Sequence, residues 1–253
     1  MCIHTVLGDC VATIAYLNSI HQILRTAHAQ HYAYGQIVSA PHVQNSLFNV
    51  LPSLRLHVIL KRKDMQIHGQ SVFDAFASPV VSGGGTMVQY DGFATFIEGD
   101  TEVTYLLVDG GEEFVANDTA AVTSRTVQCL QSVTPFDSIV LALNKAKLTP
   151  IASAAIGDPA VECEIGTIFQ TRFGGVDFAL CAGATGFMSY GGDIVMNVAY
   201  LGSPLPIIAE PTPSDGHGSC DVVSKATPVT PTAVALLTGL DEKNVIIPAE
   251  HAR

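Results

Sequence analysis

The pattern of hydrophobic and polar residues predicts one helix near the start of the chain. Asp9 suits the N-cap of a helix, and Gly35 suits its end. One face of a helix over residues 9–35 would carry Leu17, Ile20, Leu24, Ala27 and His31. This segment is the clearest helical pattern in the sequence.

After Pro52 the hydrophobic period changes from helical spacing to two. Leu54, Leu56, Val58 and Leu60 alternate with more polar positions, as in a half-buried strand. Further strands are predicted at residues 86–90, 93–97, 102–108, 113–116 and 121–129. Asp91-Gly92 and Asp109-Gly110-Gly111 lie between these runs and indicate hairpin turns, because glycine accepts the positive φ of such turns. We therefore predict an antiparallel meander over residues 54–130.

The second half of the chain continues the β pattern. Strands are predicted at residues 138–143, 161–169, 176–181 and 194–200, with a helix in 142–155 left open. Glycine-rich turns are expected at 174–175, 183–186 and 191–192. The strand spacing predicts a mainly β fold, an antiparallel sandwich or barrel resembling a jelly roll, because a βαβ fold would need amphipathic helices between its strands.

Prolines divide the chain. Six of the 13 prolines fall within residues 203–232, and proline disfavours the interior of helices and sheets. We predict a single β-rich domain over residues 1–202 and an extended arm over 203–253. The arm carries apolar patches at 233–237 and 245–247, which we expect to dock on the body or on a neighbouring subunit.

Composition excludes several classes of protein. The chain is 48% hydrophobic and 14% charged, which excludes intrinsic disorder, and it has no apolar run of the roughly 18 residues that a membrane helix needs. We expect a soluble globular protein without a membrane partner. The run Lys61-Arg62-Lys63 is expected to form an exposed turn.

The charges are unevenly distributed. Residues 1–68 hold five basic and two acidic residues and seven of the nine histidines, whereas the remainder holds seven basic and 21 acidic residues. Such an acidic body argues against direct binding of nucleic acid, which needs a basic face.

The six cysteines form no C-x-x-C pair. Because a chain of this size can bury a sizeable core without cross-links, we expect reduced thiols and a cytoplasmic location, or one within an assembled particle. The first residues lack the basic segment of a secretory signal. No cofactor is expected.

Three histidines on the predicted helix are candidate metal ligands. His21, His28 and His31 lie on its apolar side, but they lack the i, i+4 spacing typical of helical zinc ligands. The favoured interpretation is that these imidazoles make ordinary contacts and confer pH sensitivity near their usual pKa of about 6.5.

The loop 214–220 contains candidate catalytic groups. Asp215, His217 and Cys220 supply an acid, a base and a nucleophile, the three types of group that nucleophilic catalysis requires. No known nucleophile motif surrounds them, and the favoured interpretation is a polar turn within the arm.

Two further segments have the composition of ion-binding sites. The run 82–86, Ser-Gly-Gly-Gly-Thr, lacks the rest of a phosphate-binding motif and is interpreted as a loop between strands. Eight acidic residues lie between positions 91 and 118 without any lysine or arginine: Asp91, Glu98, Asp100, Glu102, Asp109, Glu112, Glu113 and Asp118. They suggest a solvated edge, a calcium site or a contact with a basic partner, although EF-hand spacing is absent.

Two classes of function follow. The first is a non-enzymatic structural protein that assembles with copies of itself or related subunits into a shell, tube or ring, as virus capsid proteins do. In this hypothesis the histidine-rich, basic first third of one copy meets the acidic residues of the next, with Asp91, Glu98, Asp100, Glu102, Glu112 and Glu113 as contacts. The second is a hydrolase or lyase that uses the 214–220 loop, and a ligand-binding β-barrel is a third alternative.

Overall fold

The computed structural model describes residues 51–118, 125–130, 136–149, 153–154, 161–163, 166–216 and 218–240. The predicted helix at 9–35 and the candidate ligands His21, His28 and His31 lie outside these ranges, as does the apolar patch at 245–247. The first six strands are β1 (Leu54–Leu60), β2 (Val72–Ser82), β3 (Met87–Glu98), β4 (Thr101–Val108), β5 (Gly111–Asp118) and β6 (Arg125–Cys129). Helix α1 (Phe136–Asn144) follows them.

The second half of the chain is also mostly strand. Its strands are β7 (Lys147–Leu148), β8 (Ser153–Ala154), β9 (Val161–Glu162), β10 (Thr167–Phe173), β11 (Val176–Gly183), β12 (Gly186–Gly191), β13 (Ile194–Tyr200) and β14 (Thr227–Pro228). Helix α2 (Pro231–Thr238) begins at the N-cap Thr230, whose hydroxyl accepts from the amide of Ala233, and ends at Gly239 with φ 72°.

Twelve strands form one antiparallel sheet. Its order is β6-β5-β4-β3-β2-β1-β13-β12-β11-β10-β7, with β14 added beside β3, while β8 and β9 pair with each other. Strand β1 is therefore the middle strand, with five strands on either side of it. The predicted meander over 54–130 is confirmed, because β1 to β6 pair in sequence order.

The inner face of the sheet holds the main core. Leu54, Leu56, Val58 and Leu60 point inward from β1 and are all buried. Helix α1 contacts α2 and also both β3 and β10, which lie six strand spacings apart. A flat sheet would separate those strands by roughly 29 Å, much more than the width of a helix, so the sheet must curl around the two helices.

Part of the outer face is covered by residues 201–230, which we call the strap. Its side chains Leu201, Leu205 and Ile208 pack on a second cluster. That cluster consists of outward-facing residues of β2 to β6: Phe76, Phe93, Leu106, Val108, Val115 and Val127. Because β3 is covered on both faces, Gly92 to Phe96 are buried without alternation. The predicted arm thus begins as a cover for its own sheet.

The strap then passes from the outer to the inner face. The amide and hydroxyl of Ser214 bond to both backbone groups of Val127 in β6. At the β4–β5 turn, the amides of Val223 and Ser224 donate to the carbonyl of Gly110, at 2.8 and 3.0 Å. A Cβ at Gly110 would lie 2.3 Å from the carbonyl oxygen of Ser224, and φ is 86° there, so only glycine permits this approach. The chain then enters β14 and α2.

Two disulfides overturn the prediction of reduced thiols. Cys129 in β6 is bonded to Cys220 in the strap, and Cys163 is bonded to Cys181 in β11. The cysteine spacing gave no sign of either bond, because each joins a strand to a segment outside the strands that only the folded chain brings next to it, across 91 and 18 residues.

Several predicted elements were wrong. The expected strand at 138–143 is helix α1, since a short apolar run does not distinguish a buried strand from a buried helix turn. Asp91-Gly92 does not form a turn: β3 runs through it, and the hairpin turns at Gly99, where φ is 60°. Strand β2, which contains Pro79, and strand β12, which lies among glycines, were both missed.

The fold class is mainly β and antiparallel, as expected. The sandwich, barrel or jelly-roll arrangement is not confirmed, because the described sheet is continuous and open at β6 and β7 and wraps around helices instead of a second sheet.

Neither described helix has the length and apolarity needed to cross a membrane.

Candidate interaction surface

The outer face of the middle strands carries the principal candidate site. Two rows of side chains cross strands β2, β1, β13 and β12 there, and we call these eight residues the central patch. One row is Val72, Ile59, Val195 and Tyr190, and the other is Asp74, His57, Asn197 and Met188. Ile59 is 37% exposed and Val72 is 48% exposed, although they lie at the centre of a twelve-stranded sheet.

An ion-paired cluster borders the apolar row. The carboxylate of Asp74 accepts from Nη2 of Arg55 at 2.6 Å and lies 2.7 Å from Nδ1 of His57. Arg55 and His57 are two residues apart on β1 and therefore share a face, and Asp74 lies opposite His57 in the register. The acid is thus neutralised by its own neighbours, and the patch carries little net charge on a chain of net charge −11.

A carboxylate holding an imidazole is the orienting half of a hydrolytic triad, so a nucleophile must be sought nearby. His57 is flanked in the register by Asp74 and Asn197, and its diagonal neighbours on the face are apolar: Val72, Phe76, Val195 and Ala199. None of these side chains has a hydroxyl or thiol. The arrangement therefore suits recognition through hydrogen bonds and apolar contact better than nucleophilic catalysis.

A second polar cluster joins two hairpins at one end of the sheet. The ring of His68, in the β1–β2 connection, lies 2.8 Å from Oε2 of Glu98 and 2.9 Å from Oη of Tyr105. His68 has φ 47°, a conformation uncommon for residues other than glycine, and its ring packs 5.3 Å from that of Phe96. Burial, followed by the charge of Glu98, raises the pKa of Tyr105, which opposes formation of a phenolate. The cluster fixes the β1–β2 connection against β3 and β4.

Sequence reasoning did not single out His57 or His68, because their partners are 17 and 30 residues away and become neighbours only through strand pairing. A faint signal existed for His57, since it occupies an outward position of an alternating strand together with Arg55.

Two of the three basic residues that follow β1 make contacts within the chain. Arg62 lies 3.5 Å from Asp64 and 3.1 Å from Asp193, and Lys61 donates to the carbonyl of Gly192. Lys61, Arg62 and Lys63 are exposed, as predicted for a turn. The ion pairs of Arg62 leave less charge for the head-to-tail contact that we predicted, and that contact remains a prediction.

The predicted acidic contacts do not form one face. Glu98, Asp100 and Glu102 lie around the β3–β4 turn, whereas Asp91 and Asp109 lie at the other end of that hairpin. The carboxylate of Asp91 accepts from the amide of Asp109, and burial raises the pKa of Asp91. Glu113 and Asp118 fall in β5, but their side chains are outside the described set.

Glu112 is not at the surface at all. It is 3% exposed, and its Oε2 has no hydrogen-bond partner among the described atoms. Burial raises the pKa of Glu112 to about 8. The neighbouring residue Gly111 forms an isolated β-bridge with Val222 of the strap, so this acid lies where the strap passes around the β4–β5 turn. A buried, protonated carboxyl is unsuited to the intermolecular ion pair predicted for it.

The candidate catalytic loop is only partly described. Asp215 is exposed, His217 lies outside the described residues, and Cys220 is buried in its disulfide. A disulfide sulfur is not a thiolate, so Cys220 lacks the nucleophile that the hydrolase hypothesis assigned to it. The residues 82–86 form the turn between β2 and β3, as interpreted from the sequence.

Among the described residues, no group of three or more His, Cys, Asp or Glu side chains is arranged to hold a metal ion. No protein-family model matches the chain, and no curated protein matches it significantly.

Proposed function

We propose that the chain is a non-enzymatic structural protein that assembles with copies of itself, in the manner of capsid subunits, through the central patch. The observation that supports the proposal is the exposure of the adjacent apolar residues Ile59 and Val72 on the outer face, where the strap covers only the cluster that runs from Phe76 on β2 to Val127 on β6. Apolar residues that adjoin one another on an exposed face favour a protein contact.

The charges of the patch favour a copy of the same chain as the partner. Two copies with a net charge of −11 repel each other, so a contact between them needs a surface without excess acid. The internally neutralised cluster of Arg55, Asp74 and His57 provides such a surface.

The two disulfides also bear on the cellular location of the protein. Such bonds persist in oxidising surroundings, so we place the working protein outside the reducing cytoplasm or in a particle released from it.

Sedimentation velocity with two matched variants tests the proposal. Ile59→Lys places a charge in the central patch, whereas Ile97→Lys places the same charge on the same sheet face, at a position 51% exposed near the β3–β4 turn. We expect the wild-type chain and I97K to sediment as assemblies at micromolar concentration and I59K to sediment as a monomer. A monomeric wild-type chain, or equal assembly of I59K and I97K, would contradict the proposal.

A further inference from the structure

We propose that the central patch is the docking site for residues 1–50 of a neighbouring copy. This inference rests on the proposed function, and it names the part of the second copy that covers the patch. Two observations support it: the size of the patch and the composition of residues 1–50.

The patch is small. Four strands spaced about 4.8 Å apart, each contributing three residues at about 3.3 Å, give roughly 190 Å² in plan. A stable contact between two rigid protein surfaces buries about 800 Å² on each partner. The patch alone is therefore too small for two copies to associate face to face, but it is wide enough for one helix of about 10 Å diameter or one extended segment.

Residues 1–50 have the composition of a segment that needs a surface to cover. They contain only two charged residues, Asp9 and Arg25, among 50, so they do not resemble a disordered polar tail. The predicted apolar stripe carries Leu17, Ile20 and Leu24, which span about 10 Å of helix and would fit within the apolar row of the patch, which is about 14 Å long. With one acid and one base, the segment brings no net charge to the neutral patch.

The described chain before β1 is fixed at the edge of the strap. The carbonyl of Ser53 accepts from the amide of Leu201, and the hydroxyl of Ser53 bonds to Ser78 and to the amide of Leu205. Ser53 is 5% exposed and Leu51 8%. These residues lie at the end of β1 opposite Ile59, about 17 Å along the strand from the apolar row. A segment of 50 residues is long enough to cover that distance on its own copy or on a neighbour, so the choice of a neighbouring copy follows from the proposed function and is tested by mixing two variants.

The proposal predicts complementation between two defective full-length variants. I59K retains the donor segment but has a damaged acceptor patch. The triple variant L17D/I20D/L24D retains the patch but has a damaged donor. A control triple variant, N18D/Q22D/T26D, adds the same charge to the opposite side of the predicted helix.

We expect I59K and L17D/I20D/L24D each to sediment as monomers, and N18D/Q22D/T26D to assemble like the wild-type chain. An equimolar mixture of the two defective variants should form heterodimers, because an intact donor then meets an intact patch. Circular dichroism verifies that both variants fold; should the triple variant not fold, L17N/I20N carries the same test at lower charge.

The outcomes separate this inference from the proposed function. If I59K abolishes assembly but the mixture remains monomeric, or if L17D/I20D/L24D assembles normally, another part of the second copy covers the patch and the docking of residues 1–50 is wrong. If the wild-type chain is itself monomeric, or I59K assembles normally, both proposals are wrong.

Discussion

Val127 and Val72 lie on the outer face of the same sheet, yet Val127 is 4% exposed and Val72 is 48% exposed. The first lies on the edge strand β6, where exposure would be expected, and the second lies beside the middle strand β1. The difference is due to the strap, which covers the cluster from Phe76 on β2 to Val127 on β6 and leaves Val72 and the centre of the sheet uncovered. Burial in this fold therefore follows the course of the last segment of the chain, and the uncovered centre is the part of the sheet that we expect another copy to cover.

The largest expected effect comes from releasing the strap. The double variant C129S/C220S removes a cross-link that spans 91 residues, and the entropy gained by the unfolded chain should lower the free energy of unfolding by about 4 to 5 kcal/mol. Urea denaturation measures the change. The control C163S/C181S opens an 18-residue span and should lose about 3 kcal/mol. Equal losses, or a larger loss in the control, would show that the strap does not hold the covered half together.

The next effect concerns Glu112, which lies beside the strap. Burial raises its pKa from 4.5 to about 8. Between pH 4.5 and pH 8, the folded protein therefore keeps a proton on Glu112 that the unfolded chain has released. The free energy of unfolding should therefore fall by roughly 3 to 5 kcal/mol from this group between pH 4.5 and pH 8, and stay low above it. Glu112→Gln has no proton to lose.

The measurement is the pH slope of stability in urea. We expect the wild-type protein to lose stability across pH 4.5 to 8 and E112Q to lack that part of the slope. The variant C129S/C220S should also have a smaller slope if the strap keeps water from Glu112. An identical slope in the wild-type protein and E112Q would mean that the acid is solvated.

The smallest effect compares the two valines directly. Val127→Ala removes two buried methyl groups and should lower the free energy of unfolding by about 2 kcal/mol, whereas Val72→Ala should change it by less than about 0.5 kcal/mol in the monomer. Thermal unfolding at low protein concentration measures both. Similar losses from the two substitutions would mean that the strap does not cover β6 as described.

The sequence predicted those strands and turns that depend on the local pattern of residues. The alternation from Leu54 to Leu60 located β1 with its inner face, and the Asp109-Gly110 signal located the turn between β4 and β5. It misplaced the turn at Asp91-Gly92, because a glycine inside a covered strand has the same local signature as a glycine in a hairpin.

Most of the candidate site could not be predicted from the sequence, because it depends on pairing between distant residues. His57 has its partner Asp74 only because strand pairing places the two opposite each other. Cys129 has its partner Cys220 only because the strap brings together residues 91 positions apart. The acidic residues were found by counting, but counting could not show that Glu112 is turned inward while Glu98 bonds to His68. Glu98 and Glu112 are residues of the same type, but packing in the folded sheet leaves the first exposed and buries the second.

Protection of the central patch on assembly tests the account most directly. Val72→Cys and Ile97→Cys each place one thiol on the outer face, the first in the patch and the second outside it at similar exposure. Maleimide labelling, read at each site by peptide mass spectrometry across a protein dilution series, reports whether the face becomes covered. We expect Cys at position 72 to react more slowly as concentration rises while Cys at position 97 keeps a constant rate. A constant rate at position 72 over the whole series would contradict the account.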